Sequence, residues 1–443
     1  MFRLTHLAPA AALIAALGAP SSALAAWTAP TTLATSEGAN PAAQGAFGGS
    51  VITGWLDPSA SLFKRTADGF SSPTTLNAAD PYEKVWAAAL DSNGGAVVLT
   101  VRRHKPLQRI RATFVAADGK RGPTRTISDN THSAAQPTLS VAPDGTAVAG
   151  WVWHDPAGWR AQVAIRRPGQ ATFDRPQTIS PPAPRLGKLQ PRPFVRVAAG
   201  DGGRGVATWQ VGGNAALPES PLHVRTAGTD GVFGADQELP DAGGYADVGL
   251  AMNAQGEAQV AYLDEHFSGH EGPASLHVTQ GPAGAPLPAP QVLSKGGKGT
   301  SSGGQVAAAY SADGTATVAW AKPGDEYEQG GTLEVFTRAP GAGFGPAQTL
   351  ATGALGVALA GGPGDSAVLA WMQETSGHTV HAALRPQAGG PFGAGETISG
   401  DAKHALWPSV AMTPAGDAVA AWVTNTSGGG SGHPTAAIAP AGN

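Results

Sequence analysis

Histidines, carboxylates and one serine in close spacing are the residues of this 443-residue chain with chemical potential. His266-Phe-Ser-Gly-His270, flanked by Asp264, Glu265 and Glu271, offers zinc-ligand types. Two zinc histidines that close together rely on a helix to put both imidazoles on one face, and Gly269 in a loop setting denies them one. The segment reads as a solvated loop, and no metal is expected there. His378 and His381 are three apart on a predicted strand, so they point to opposite faces and do not chelate together. Gly299-Thr-Ser301-Ser-Gly303 has nucleophile-elbow spacing, yet that motif needs a strand-turn-helix context and this is a Gly/Lys/Ser linker. Asp325-Glu326-Tyr327-Glu328 supplies paired carboxylates of the glycosidase type, on what reads as a solvated turn. These residues form no coherent catalytic constellation, no cofactor motif is present, and no cofactor is expected.

The elements that would position such residues come from a repeat made of two alternating signals. The first places an aromatic six residues before an aliphatic, typically around Pro and Thr, as in Trp27 to Leu33, Phe70 to Leu76, Phe173 to Ile179, Phe233 to Leu239, Phe344 to Leu350 and Phe392 to Ile398. Weaker copies end at Ile127 and Leu293. The second is a Gly turn, an alternating apolar strand and an aromatic six residues on: Gly49 to Trp55, Gly145 to Trp151, Gly203 to Trp209, Gly256 to Tyr262, Gly314 to Trp320 and Gly416 to Trp422. Gly364 to Trp371 carries one extra residue, and Gly94 leads to Thr100 instead of an aromatic. Each unit reads as strands A to D, with the Gly turn between A and B and the first signal forming D. The second-signal aromatics alternate with Ala and Val, which assigns them to the core. The chain begins with a lone strand D at Trp27 to Ala34 and ends on a strand C at Pro434 to Pro440, so its ends complete one another. The expected fold is all-β: an eight-bladed β-propeller with four antiparallel strands per blade, closed by the N-terminal strand completing the last blade.

Met1-Phe2-Arg3, an apolar run from Leu7 to Ala19 and the small-residue site Ala23-Leu24-Ala25 have the layout of a secretory signal. Residues 1–25 are therefore expected to be removed, leaving 26–443 as one propeller domain of eight repeats, about 52 residues each. The apolar run is too short to span a bilayer, which takes roughly 20 residues, so no membrane insertion is expected. There is no cysteine, hence no disulfide framework or lipid-attachment cysteine. Charged residues are 14% of the chain and the net charge is -4, with no basic run, which argues against nucleic acid as a partner.

In such a fold the D-to-A and B-to-C loops share one face, and the long insertions fall there: Ser180 to Pro193, Gln210 to Pro221, Asp264 to Pro273, Lys295 to Gly304 and Ala321 to Gly331. Loops on a rigid scaffold concentrate binding residues. The ligand-binding candidates on that face are His132, His154, Asp155, Asp264, His266, Asp325, Glu326, Tyr327, His404 and Trp407. Asp144-Gly145 and Asp313-Gly314, each followed by a strand ending in Trp, resemble the repeats of secreted bacterial β-propellers of the sialidase-like and TolB-like kind. The Trp stands six residues after Gly where a sialidase Asp-box has it three after, and no Phe/Tyr-Arg-Ile-Pro segment is present, so the resemblance implies architecture without sialidase activity. The expected protein is a secreted, monomeric, non-catalytic binding or scaffold propeller whose partner is an extracellular protein or glycan. The alternative is an extracellular polysaccharide hydrolase or lyase with its site on the same face.

Overall fold

The computed structural model describes residues 26–34, 41–44, 49–53, 59–77, 80–91, 93–104, 107–183, 193–211, 221–240, 242, 247–264, 274–296, 304–322, 331–374, 377–402, 404–425 and 432–441. Every regular element among them is a β-strand, and none is a helix long and apolar enough to cross a membrane. The strands form antiparallel sheets consistent with a β-propeller: five of four strands, one of five and one of seven.

The sheet Ser133–Val141, Ala147–Asp155, Gly158–Arg166, Gln177–Thr178 shows how the repeat becomes structure. Asp144 and Gly145 turn the chain between its first two strands. Gly145 sits at φ +90°, a conformation that favours glycine, and the Asp144 carboxylate accepts from the Thr146 amide at 2.7 Å. Asp144 also accepts from the Gly202 amide of the next sheet at 2.7 Å, so the turn ties neighbours together. The fourth strand is shorter than its sequence signal. Phe173 and Ile179 are both buried, while the segment between them pairs only at Gln177 and Thr178. Pro176 contributes no amide hydrogen to a ladder, so the signal acts as two apolar anchors around a short edge strand.

Trp151, Trp209, Tyr262, Trp320, Trp371 and Trp422 are all buried, as core positions should be; Trp55 lies outside the described residues. Each packs against the sheet that precedes its own. Trp151 meets Val97, Leu99 and Ile110; Trp209 meets Val148, Val152 and Val163; Trp422 meets Ala370, Val380 and Ala382.

The inner strands Glu83–Leu90, Ser133–Val141, Pro193–Gly200, Val248–Met252, Gln305–Tyr310, Gln348–Gly361 and Ala405–Met412 contact one another in chain order, and Ala42–Gln44 contacts Ala405–Met412. Seven of these inner strands end on a common cavity of about 610 Å³, through Leu90, Val141, Gly200, Met252, Tyr310, Gly361 and Met412. Burial raises the Tyr310 phenol above its ordinary pKa, so it faces the cavity as a neutral hydroxyl. The seven-stranded sheet departs from the expected separation of strands: Gln348–Gly361 runs unbroken for 14 residues. It pairs first with Gly331–Arg338 and then with Ala367–Glu374, doing the work of a strand D and the following strand A. At the chain ends, Thr31 and Thr32 pair with Ala436 and Thr435 in the order Thr31–Thr32, His433–Ala439, Ala418–Thr424, Ala405–Met412.

Arginines on the third strands brace neighbouring units. Arg166, Arg338 and Arg385 stand opposite Ala147, Ala316 and Ala367, one position in three units. Arg338 reaches Glu257 of the preceding sheet at 2.7 Å. Arg385 is buried, ion-pairs with Asp365 at 2.9 Å, and donates to Thr317, Thr337 and Ser311 at 2.9, 3.1 and 3.1 Å. Burial pulls its pKa down, and Asp365 and Asp313 oppose that shift. Arg385→Ala strips these groups of their shared donor and should destabilise the fold by about 3–5 kcal/mol. Urea denaturation measures this, and a loss below about 1 kcal/mol, as for an exposed pair, would remove Arg385 from the framework.

Candidate functional site

Six of the ten sequence candidates lie among the described residues; His266, Asp325, Glu326 and Tyr327 lie outside them. The six fall in three sheets and are engaged locally. His132 lies edge-on to Trp153 with centroids 4.9 Å apart, and its Nδ1 is 2.7 Å from Thr131 Oγ1. The adjacent Asp129 carboxyl is held below its ordinary pKa by hydrogen bonds from the Thr131 hydroxyl and amide. His154 packs on Trp159 at 4.8 Å. Asp155 caps the turn into the next strand, accepting from the Ala157 and Gly158 amides at 2.8 and 2.9 Å and from Arg160 at 2.8 Å. Desolvation works against its charge, but those donors win and lower its pKa. Asp264 ends its strand 4.0 Å from His277. His404 bridges to His378, their rings 6.4 Å apart. His378 and His381 sit on one strand and turn to different neighbours, His381 to Trp371.

Trp407 differs from the other five because it is half exposed and sits at φ +53°. The other non-glycine residue at positive φ among those described is Gln136, at +52°. Both precede a proline, and both occupy a bulge in an inner strand. Ala135 and Thr138 pair with Val152 and Gly150, so Gln136 and Pro137 together face Trp151. Leu406 and Ser409 pair with Val423 and Ala421, so Trp407 and Pro408 together face Trp422. A third bulge puts Trp86 between Val85 and Ala87, and a fourth lies between Ala354 and Val357. The inner strands Pro193–Gly200, Val248–Met252 and Gln305–Tyr310 pair without a shift. A bulge re-aims side chains, and a non-glycine residue at positive φ stores strain of about 1–3 kcal/mol, a combination that collects at binding sites.

These bulges lie near the starts of the inner strands, at the end of the channel opposite the 610 Å³ cavity. A pocket of about 400 Å³ opens there, lined by Trp86, Gln136, Thr138, Phe194, Val195, Arg196, Gln210 and Asp247. Its residues come from the first strands of three consecutive sheets, with Gln210 from a second strand and Asp247 from the edge of a fourth sheet. Arg196 pairs with Asp247 at 2.8 Å, and the other Asp247 oxygen accepts from the Val306 amide at 2.8 Å. Three of the five exposed large hydrophobic residues, Tyr82, Phe194 and Trp407, stand at this end of the inner strands.

No protein-family model and no curated protein matches the chain. Among solved structures it is similar to the NanB sialidase of Streptococcus pneumoniae, at 9% identity over 94% of each chain with a TM-score of 0.40. It is also similar to an ulvan lyase, at 10% identity over 82% of this chain and 96% of that one, TM-score 0.47. The β-propeller domain of the Trilobed protease from Pyrococcus furiosus gives 9% identity over 78% and 93%, TM-score 0.42. The likeness is one of overall architecture, and no residue role is taken from it.

None of the six described candidates lines the 400 Å³ pocket. Selection by residue type favoured histidines and acids, whereas the pocket is built from aromatics and amides near the first positions of inner strands. The signal for it was Gln136-Pro-Thr and Trp407-Pro-Ser at matching points of two repeats.

The histidines have a second, repeated use. His223, His277 and His381 face Trp209, Tyr262 and Trp371 across the second and third strands and stack on them at 5.1, 5.1 and 5.6 Å. Gln162 takes the same place opposite Trp151 and accepts from its indole at 3.0 Å. Burial lowers the His381 pKa below 6.5. As pH falls through 6.5 the unfolded chain takes up a proton that the folded chain resists, so stability drops until the folded pKa is passed; above 6.5 both states are neutral. His381→Gln should fold, as Gln162 indicates, and should flatten the fall in Tm between pH 7.5 and 5. An unchanged pH slope in that variant would show that His381 is not its source.

Proposed function

We propose that the chain is a secreted, non-catalytic binding or scaffold propeller that takes an extracellular ligand at the channel mouth where the inner strands begin. Residues 1–25 serve as the export signal and 26–443 as one domain. Dividing the seven-stranded sheet at Gln348–Gly361 supports a count of eight blades. Closure by the N-terminal strand is supported by the Thr31–Ala436 pairing and by bonds from Thr28 to Ile438 at 2.8 and 3.0 Å. Val51 of the first sheet packs with Val419, Ala421 and Ala436 of the last, and Arg65 pairs with Asp417 across the same junction.

The observation that carries the binding reading is the make-up of the 400 Å³ pocket. Its volume falls within the roughly 300–1,000 Å³ of small-ligand sites. Among the described residues its lining holds one carboxylate, Asp247, and both of its oxygens are engaged. Glycosidase chemistry asks for two carboxyl groups roughly 5 to 9.5 Å apart across the scissile bond. Aromatic rings, amides and a neutralised ion pair instead suit recognition.

Purified 26–443 incubated with neutral and acidic polysaccharides should release neither reducing ends nor unsaturated products. Turnover that survives repurification would overturn the non-catalytic reading. Trp27→Ala should destabilise the fold by about 1–3 kcal/mol, the half-buried counterpart of a core truncation, and deleting 26–34 should cost more. Tm values equal to the parent's for both variants would count against closure.

A further inference from the structure

We propose that the mouth pocket is a subsite for a neutral hexose unit of a glycan, an assignment that rests on the binding reading above and specifies its ligand. Three features point to that class. Trp86 and Phe194 line the pocket from different sheets, and an aromatic face is what the C–H face of a pyranose ring stacks on. The Gln136 Oε1 and Thr138 Oγ1 atoms are buried without a hydrogen-bond partner among the described residues, although both side chains line the pocket. Buried polar atoms are ordinarily satisfied, so two lone ones beside a cavity mark groups whose partner is a ligand, here a sugar hydroxyl. Among the described lining residues the charge cancels: Arg196 is the one cation, Asp247 the one carboxylate, and they are paired at 2.8 Å. An anionic sugar would have to compete with Asp247 for Arg196, whereas a neutral sugar has no such competitor.

The strain at Gln136 fits the same assignment. Glycine would relieve the positive φ, and proline at the next position already disfavours the right-handed helical alternative. A glutamine held there keeps an amide at the mouth that a glycine would remove. This creates an unusual expectation, because residues kept for a ligand at the expense of the fold improve the fold when replaced.

The test is calorimetric titration of the 26–443 chain with gluco-, manno- and galacto-hexaoses, and with an oligogalacturonate hexamer as the anionic comparison. At least one neutral hexaose should bind. Thr138→Val and Gln136→Gly should each weaken it by about fivefold to tenfold, the scale of one hydrogen bond to a ligand, with Tm equal to or above the parent's. Trp86→Ala should weaken it by about tenfold or more, the scale of a central aromatic contact. If Trp86→Ala does not fold, the two polar variants carry the test. Loss of Tm in step with affinity in both would mark their role as structural and overturn the assignment. So would binding of none of the three neutral hexaoses, binding indifferent to all three variants, or binding of the anionic hexamer alone and its loss in Arg196→Gln. Cleavage of a bound hexaose with unchanged sensitivity to the variants would instead overturn the non-catalytic reading and leave the subsite standing.

Discussion

A bulky aromatic on the second strand, buried against the preceding sheet at Trp151, Trp209, Tyr262, Trp320, Trp371 and Trp422, sets the spacing from which the rest of this fold follows. The residues around it are small: Ala147, Ala149 and Gly150 precede Trp151, and Ala418, Ala420 and Ala421 precede Trp422. Small neighbours let adjacent sheets approach until the indole fills the space between them, and filling it matters because truncating such a side chain costs about 3–5 kcal/mol. The same residue constrains the inner strand beside it. In the two units with a proline at that point, the inner strand spends two residues opposite the indole instead of one, and the extra residue is Gln136 or Trp407. The side chains displaced there are Gln136, which lines the 400 Å³ pocket, and Trp407, which is half exposed.

The unit that lacks the aromatic shows what the wedge replaces. Thr100 stands where the others have Trp or Tyr, and the volume is taken by Glu83, buried, bonded to the Thr100 hydroxyl at 3.0 Å and paired with Arg111 from the third strand. Arg111 faces Thr100 as His223 faces Trp209 and Gln162 faces Trp151. The position opposite the second-strand residue is therefore polar throughout the described units: histidine at 223, 277 and 381, Gln162, Arg111, Glu334 opposite Trp320 and Thr435 opposite Trp422. Desolvating an ion pair in place of an indole is a poor source of stability. In the same unit Trp86 occupies a bulge of the inner strand and lines the pocket.

The repeat, the core aromatics and the pairing of the two chain ends were legible because each leaves a one-dimensional mark: a period, an alternation, an unmatched strand. Element lengths were less so. Phe344 to Leu350 read as a self-contained strand, yet pairing from Gln348 runs on to Gly361, passing through Gly353 at φ +76° and a bulge between Ala354 and Val357 without ending the strand. The site was largely illegible. Its lining residues belong to different sheets and lie tens of positions apart, so no local motif joins Trp86 to Gln136 and Phe194. Choosing residues by reactivity found those that the fold uses most heavily: Asp155 as a turn cap with all its donors internal, His132 and His154 as partners of Trp153 and Trp159. A polar residue in a regular repeat is more often needed by the repeat itself.

The residues that escape this rule are those the fold holds at a cost. Gln136 and Trp407 occupy a backbone region that glycine fills without strain, and of the chain's 62 glycines, 21 among the described residues sit at positive φ elsewhere. Pro137 and Pro408 disfavour the right-handed helical conformation at these two positions, so the strain belongs to the designed path of the chain. A half-exposed tryptophan at one such point and an amide with an unpartnered buried oxygen at the other do little for packing. Local strain of this kind persists only where the surrounding structure over-determines it, and the wedge opposite each bulge supplies that determination. The rigid periodic packing is what allows a small part of the inner strands to be irregular, and that irregular part borders the pocket proposed as the binding site.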